Sequence, residues 1–498
     1  MTGPTKRRAI PTALPAAILA LVAFVLYFPM LKAGFAWDSN IQVVNDTFIH
    51  DLGNLPAVLS LRVLGMDVLD FNRPTQLLSL MLDAALWGKH PFGYHLTSVL
   101  LHATVTVLLF LFCRRLAPTW CAFAVALFYA VHPVNCEAVA EVGYREDLLA
   151  TLFVLAGLSC AARFGSTWRG GVGCGLCLLL AVGAKESAVA GPLFLALYWW
   201  WFRRHEPRKP WLMVMAGAAL LVGGFVVARF ALAPEHSAIF TQKPAPLADT
   251  FLDALGVQVR IWAVYFRQIV WPMDLCADYG PYSIRNYSVG VSALLVAAVI
   301  AAQGVGSWRN RVFALGVAVF WLGLFPVSNF ILLYRPMADR YLYLPLTGVA
   351  LMLAPMLARH KIAPWIAGLI ALPLAIATFQ HEKVWHDELA LWQDTMRTNP
   401  QSYVALNNLG CALVIAERPA HAVPILQRAL RASVNKQADP FAFLALALDA
   451  LGRTAEADAA FKQAVALDAR YAQPDLLVKA LACDRPSADK LKAIAARN

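Results

Sequence analysis

Three short stretches of this chain gather ionisable side chains in otherwise apolar surroundings, and their types suit transfer of a group to a hydroxyl. The first is Phe35-Ala36-Trp37-Asp38, which follows an apolar run and opens a long polar segment. A carboxylate held at a membrane surface can take the proton of an incoming hydroxyl while a lipid-linked donor lies in the adjacent bilayer. A helix-ending aspartate in a solvated loop has the same signature, and Asp46 and Asp51 share that second reading. The second stretch runs from His132 to Asp147 and adds Glu137, Glu141, Arg145 and Glu146. Charges near hydrocarbon cost about 2.5–3.5 kcal/mol each on insertion scales, so their accumulation points to function or to a mutually paired network. Arg145 suits a phosphate, or the neutralisation of Glu141 or Asp147. His132 and Glu137 lack an obvious third ligand, so no metal site is assigned to them. The third stretch, Lys185-Glu186, lies between two short apolar runs. A cation drawn below the surface there suits the phosphate of a lipid carrier, or else snorkels to water. Arg335 and Arg340 form a further basic patch beside Tyr341 and Tyr343, tyrosines that also fit an aromatic belt. His95 and His102 share one helical face and read as packing residues.

The elements that must position these groups are membrane helices. Of 498 residues, 59% are apolar and 15% charged, and the mean hydropathy is +0.58. Soluble chains carry about 25% charged residues, so a soluble globular protein is excluded. Apolar runs at 11–33, 94–113, 119–134, 147–164, 171–184, 187–202, 211–233, 289–305, 311–332, 341–358 and 362–380 predict an all-α polytopic bundle of about eleven transmembrane helices. Lys6, Arg7 and Arg8 precede the first, which reads as a retained anchor. With that end inside, basic residues fall in the inner loops and Asp38, Glu137, Asp147, Asp274 and Asp339 in the outer ones, so the net charge of +11 reports topology and not a nucleic-acid partner. An odd count puts the C-terminal region outside. Residues 251–272 carry Asp253, Arg260 and Arg267 and read as an outer interfacial helix anchored by Trp262, Tyr265 and Trp271. The nine cysteines show no disulfide framework, and Cys174 with Cys177 reads as part of a small-residue packing face.

From residue 382 the composition changes to helical spacing of apolar among polar residues. Asn408-Leu409-Gly410 with Ala422, Leu426 and Ala429 is followed 35 residues on by Ala457, Phe461 and Ala464. This pattern resembles the tetratricopeptide repeat, with turns at Glu417-Arg418-Pro419 and Leu451-Gly452-Arg453, and with Ala445 where glycine is usual. Trp385, Leu391 and Trp392 on a preceding half-repeat, and a helix near 487–496, are expected to cap the stack. Two domains follow: 1–381 in the membrane, with a first outer loop at about 34–93, and 382–498 as an α-solenoid on the outer face.

Taken in order, FAWDSNIQVVND, NRPTQLLSLMLDAALWGKHPFGYHLTSVLLH, HPVNCEAVAEVGYREDLLA, AKES, DRYLYLP and the repeat tail resemble the transmembrane O-mannosyltransferases with tetratricopeptide repeats. The resemblance covers residues 34 to about 470. It implies a GT-C type glycosyltransferase fold, a polyprenyl-phosphate sugar donor, mannose first among the sugars, and a protein hydroxyl as acceptor bound by the repeats. It implies Asp38 as catalytic base and Glu137 as the group orienting it or the acceptor. Arg73, His132, Arg145, Asp147, Lys185, Glu186, Arg340 and Tyr341 are the implied substrate- and phosphate-binding residues. Where many relatives carry two consecutive acids this chain has Asp38-Ser39, and no metal is assigned. The chemistry is coherent: a sugar phosphate already has a good leaving group, so one general base and a set of cations suffice, and in-line displacement inverts the anomeric centre. The expected location is a bacterial inner membrane with the active site periplasmic, or the endoplasmic reticulum in a eukaryote. A lipid or glycan acceptor and a non-catalytic membrane-anchored scaffold are the alternatives. A transporter is disfavoured, because the polar clusters gather at one face and no two-fold repeat of spans is evident.

Overall fold

A computed structural model describes residues 12–234, 250–280, 284, 286–329, 335–360, 362–433, 436–472 and 485–497; the basic residues Lys6, Arg7, Arg8 and Lys361 lie outside them. Every regular element among the described residues is helical. Six helices are long and apolar enough to cross a membrane: Pro91–Cys113, Val142–Phe164, Arg208–Leu232, Val289–Arg309, Asp339–Leu357 and Ala363–Trp385. The pair Thr119–Ala130 and Pro133–Ala140, bent by 53°, makes a seventh if counted as one span.

The expectation of eleven spans is therefore corrected to six or seven. The apolar runs at 11–33, 171–184, 187–202 and 311–332 form helices of 14, 17, 8 and 14 residues: Ala13–Leu26, Trp168–Ala184, Gly191–Tyr198 and Arg311–Leu324. At 1.5 Å per residue even the longest reaches about 26 Å, short of the roughly 30 Å hydrocarbon core. Hydropathy counts apolar residues without sensing where the backbone breaks, and it breaks here at Pro29, at Lys185 and at Pro326. With this count the parity of spans no longer fixes the side on which residues 382–498 lie. Residues 251–270 form a helix that is not among the spans, but Tyr265 on it is fully buried, with its hydroxyl donating to the Ala338 carbonyl at 3.2 Å.

The bundle has a buried centre and an exposed rim. Pro91–Cys113, Val142–Phe164 and Asp339–Leu357 are mostly buried, whereas Arg208–Leu232, Val289–Arg309 and Ala363–Trp385 leave Leu220, Leu294 and Leu369 exposed, as a lipid-facing position requires. Helix Arg311–Leu324 runs so close to Tyr343–Leu357 that a methyl group on Gly348 would sit 2.5 Å from the Gly316 carbonyl oxygen and 2.6 Å from the Phe320 nitrogen. Small residues at such a crossing let the backbones touch, and backbone contact fixes the helices' relative height. The long segment after the first helix is itself folded. Short turns at Asn40–Asn45, Leu52–Asn54 and Arg62–Gly65 and the helix Pro74–Trp87 close over Val43, Ile49, Val63, Leu80 and Met81.

The C-terminal region consists of antiparallel pairs, Tyr403–Ile415 with Pro419–Ala432 and Asp439–Ala450 with Thr454–Leu467. Their turns repeat residue for residue. Glu417 and Gly452, 35 apart, have φ of +55° and +74°, and the amides of Arg418 and Arg453 reach back to the carbonyls of Leu413 and Leu448. A methyl on Gly410 would fall 2.4 Å from Leu426, and the corresponding Ala445 is fully buried. Helix Arg485–Arg497 closes the stack through Leu491 and Ile494, with Arg497 paired to Asp449 at 2.6 Å.

Because neither backbone at the Gly316–Gly348 crossing can yield, Gly348→Ala is expected to destabilise the bundle by about 1–3 kcal/mol. Thermal unfolding of the detergent-purified variant checks this; an unchanged melting temperature would show that the two helices can separate freely.

Candidate active site

Six of the ten site residues singled out in the sequence, Asp38, Arg73, Lys185, Glu186, Arg340 and Tyr341, line one cavity of about 150 Å³, together with Gln42, Gly143, Tyr144, Glu146, Pro326 and Val327. Each is delivered by a chain break. Asp38 follows Trp37, whose φ is +50°. Arg73 caps the N-terminus of Pro74–Trp87. Glu146 and Asp147 occupy the first turn of Arg145–Phe164, where the helix dipole favours acids. Lys185 and Glu186 form the junction after Trp168–Ala184, and Arg340 lies in the 3-10 turn that opens the helix Tyr343–Leu357. These breaks bring main chain from five parts of the sequence to one level of the bundle.

The charges form a connected lattice. Arg73 pairs with Glu146, with Glu186 at 3.3 Å and with Asp70 at 3.4 Å. Lys185 Nζ lies 3.1 Å from Glu146 and 2.5 Å from Asp147. Glu186 also meets Arg229 at 3.4 Å. Arg340 is gripped by Glu137, which takes its guanidinium and, at 2.8 Å, its backbone amide, while the guanidinium carbon stands 3.7 Å over the Tyr144 ring. Tyr144 in turn donates its hydroxyl to Asp38 Oδ2 at 2.9 Å. Next to Asp38, the Ser39 amide and hydroxyl both donate to Glu141. Burial works against the charge on Lys185, but Asp147 and Glu146 hold its ammonium above the usual range. Burial likewise opposes the charge on Glu186, but Arg73, Arg229 and Lys185 hold its carboxyl well below the usual range. Asp70 goes the other way: burial, with Glu146, Asp38 and Asp46 nearby, lifts it to about 7 against the pull of Arg73.

The remaining four residues lie elsewhere. Asp147 and Glu137 stand behind the cavity, acting on it through Lys185 and Arg340. Arg145, expected near a phosphate, is fully buried and committed to Asp83 at 2.6 Å, the Ser79 hydroxyl at 3.0 Å and the Tyr94 carbonyl at 2.8 Å. It is adjacent in the chain to Glu146, but a helical step of about 100° turns it to another face. His132, expected at the substrate, is fully buried, accepts from the Val134 amide and bonds the Ile269 carbonyl at 3.1 Å. The sequence reading missed Gln42, Tyr144 and Arg229. Arg229 had a signal, as a lone cation in the last turn of an apolar helix; Gln42 and Tyr144 had none. Among the described residues no group of three or more His, Cys, Asp or Glu side chains gathers to hold a metal ion.

No family model matches the chain. A protein O-mannosyl-transferase of Caenorhabditis elegans is 24% identical over 422 residues, covering 80% of this chain and 59% of that protein. The Drosophila melanogaster protein O-mannosyl-transferase Tmtc3 is 28% identical over 79% of this chain and 52% of its own length. The mouse protein O-mannosyl-transferase TMTC2 is 37% identical over 134 residues, covering 25% of this chain and 16% of that protein. The chain is similar to proteins named as protein O-mannosyl-transferases. It spans little more than half the length of the first two of these relatives. Among solved structures, ArnT from Cupriavidus metallidurans, crystallised with undecaprenyl phosphate, aligns over 90% of this chain and 79% of its own at a TM-score of 0.40 and 14% identity.

Two predictions follow from the lattice. Arg145→Met leaves Asp83 buried without its cation and is expected to cost roughly 3–5 kcal/mol, much of it recovered in Arg145→Met/Asp83→Leu. Unfolding of both variants checks this, and a milder double variant is the decisive comparison. Asp70 keeps its proton to higher pH when folded than when unfolded, so the folded state holds more protons between about pH 4 and pH 7 and loses stability as pH rises through that window. Asp70→Asn is expected to flatten that decline, measured as the melting temperature at about pH 5 and pH 8.

Proposed function

We propose that this chain is a membrane glycosyltransferase that moves a sugar, mannose first, from a polyprenyl phosphate to a hydroxyl of a protein acceptor. The observation that carries the reading is the single cavity in which Asp38 faces a set of cations, Arg73, Lys185 and Arg340, at the end of a bundle of apolar helices. The similarity to proteins named as O-mannosyl-transferases supports the reaction class.

In the proposed reaction the acceptor oxygen attacks the anomeric carbon as the bond from that carbon to the phosphate oxygen breaks. Asp38 takes the hydroxyl proton, and the polyprenyl phosphate leaves with the bonding pair. Inversion at the sugar follows from the single in-line step. Lys185, Arg73 and Arg340 face the charge that grows on the departing phosphate, and fixed cations in a dry site stabilise such charge more than water does. Glu137 and Asp147 act as positioning residues, one orienting Arg340 and the other Lys185. Tyr144, hydrogen-bonded to Asp38 and stacked against Arg340, links the base to the phosphate side. Three cations against Asp38, Glu146 and Glu186 leave the cavity lining without net charge. That balance suits a donor phosphodiester with one negative charge better than a diphosphate.

The contact between the Asp38 loop and residues 385–392 supports placing the C-terminal repeats on the same side of the membrane as the base, where their concave face offers a surface for a polypeptide. That side is periplasmic in a bacterial inner membrane, or luminal in the endoplasmic reticulum.

The test is transfer of labelled mannose from polyprenyl-phosphate mannose to protein by the purified chain in liposomes. Asp38→Asn is expected to lower the rate by about 10²–10⁴-fold with an unchanged melting temperature. Full activity in that variant would remove Asp38 as the base, and failure of the wild type across a panel of donor sugars would favour a non-catalytic scaffold.

A further inference from the structure

We propose that Trp37 is the positioning residue for Asp38, and that the start of the repeat region, through Trp385 and Trp392, clamps it in place. This inference rests on the assignment of Asp38 as the base.

The first observation is conformational. Trp37 has φ of +50°, in the left-handed region that a bulky side chain rarely adopts. Such a residue costs about 1–3 kcal/mol and persists only where its surroundings over-determine it. Left alone, Trp37 would relax to negative φ, and the peptide that follows, with the Asp38 carboxylate, would turn out of the cavity.

The surroundings that prevent this come from far along the chain. The Trp37 ring lies parallel to Trp385, at 16° and 6.3 Å between centroids, and meets Trp392 edge-on at 4.8 Å. The Arg335 guanidinium covers it at 4.0 Å. Backbone and side chain on either side are tied down as well: Gly34 N–H donates to the His386 carbonyl at 3.1 Å, and Asn40 Nδ2 donates to Glu388 Oε1 at 2.8 Å. Arg335 does not act alone, since it pairs with Asp278 at 3.3 Å, and Asp278 accepts from the Ser402 hydroxyl at 2.6 Å. Thus two of the ring's partners lie within residues 385–392, and a third reaches Ser402 through one carboxylate. Tyr144, edge-on to Trp37 at 6.0 Å, is the same residue that bonds Asp38.

The geometry couples two functions usually treated as separate. Residues 385–402 begin the surface expected to hold a polypeptide acceptor, and they also set the backbone from which the base projects. Any rotation of the half-repeat helix Glu388–Thr398, which precedes the helix pairs, moves Trp392 and with it the Trp37 ring, so the base is aimed only while the repeat region is seated.

The test uses the full chain in liposomes with two pairs of variants. Trp385→Ala is expected to lower the single-turnover transfer rate by about tenfold or more while leaving the affinity for polyprenyl-phosphate mannose unchanged, and Trp385→Phe to restore most of it. Glu388→Ala, on a partly exposed side chain, is expected to give a several-fold loss that Glu388→Gln recovers, so the test survives if Trp385→Ala fails to fold. In both alanine variants hydrogen exchange at the amides of residues 34–40 should rise. A rate within twofold of wild type, unchanged exchange, or a donor affinity that falls in step with the rate would each overturn the clamp. The exchange measurement needs no turnover, so it judges the clamp even if Asp38→Asn shows that the base lies elsewhere.

Discussion

The pairing of Lys185 with Glu146 and Asp147 is the constraint on which the site depends. All three side chains are buried, and none could be carried into a helical bundle singly, because an unpaired ion there forfeits several kcal/mol of hydration. Pairing makes burial tolerable and in doing so sets where helices can end. Arg145–Phe164 must begin, and Trp168–Ala184 must stop, at the same depth. Arg73 then joins through Glu146, bringing the folded segment after the first helix into the same network. Arg340 and Glu137 repeat the solution on the other side of the cavity. The break at Lys185 and the cavity beside it have one cause: acids and bases that can be buried only together.

That cause also explains what the sequence could and could not reveal. Residue type and local context were enough to single out Asp38, Lys185, Glu186, Arg340 and Tyr341, and the family resemblance added Arg73; the fold gathers all six at one cavity. They could not tell Arg145 from Glu146, neighbours in the chain that face different partners across one helical step. Nor could they separate a cation that greets a ligand from one that holds two helices together, since both are charges in apolar surroundings. The span count failed for a related reason. A window of apolar residues records composition, whereas Pro29 and Pro326 cut runs of adequate length into helices too short to cross, and the runs on either side of Lys185-Glu186 were short already. The repeat region was easier, because its 35-residue period fixes the turns themselves, down to the left-handed residues Glu417 and Gly452.

The junction between the two regions was invisible to either kind of reading. Trp37 lies about 350 residues before Trp385 and Trp392 and shares no motif with them, yet the three rings meet at the point where the bundle gives way to the solenoid. Tryptophan supplies large buried area with few torsions to freeze, which suits a joint that must be firm. The joint is polar as well as aromatic, through Asp278, Ser402 and Arg335, so it is specific in register as well as cohesive.

Trp385 is also the last residue of the lipid-facing helix Ala363–Trp385. A helix of fixed length meets a thinner or thicker bilayer by changing its tilt. Since the end of this helix carries the ring stacked on Trp37, a change of tilt reaches the aspartate without passing through any ligand. On the proposed reading of Asp38 and its clamp, bilayer thickness becomes a mechanical input to the site, and the same chain placed in membranes of different composition is expected to transfer sugar at different rates.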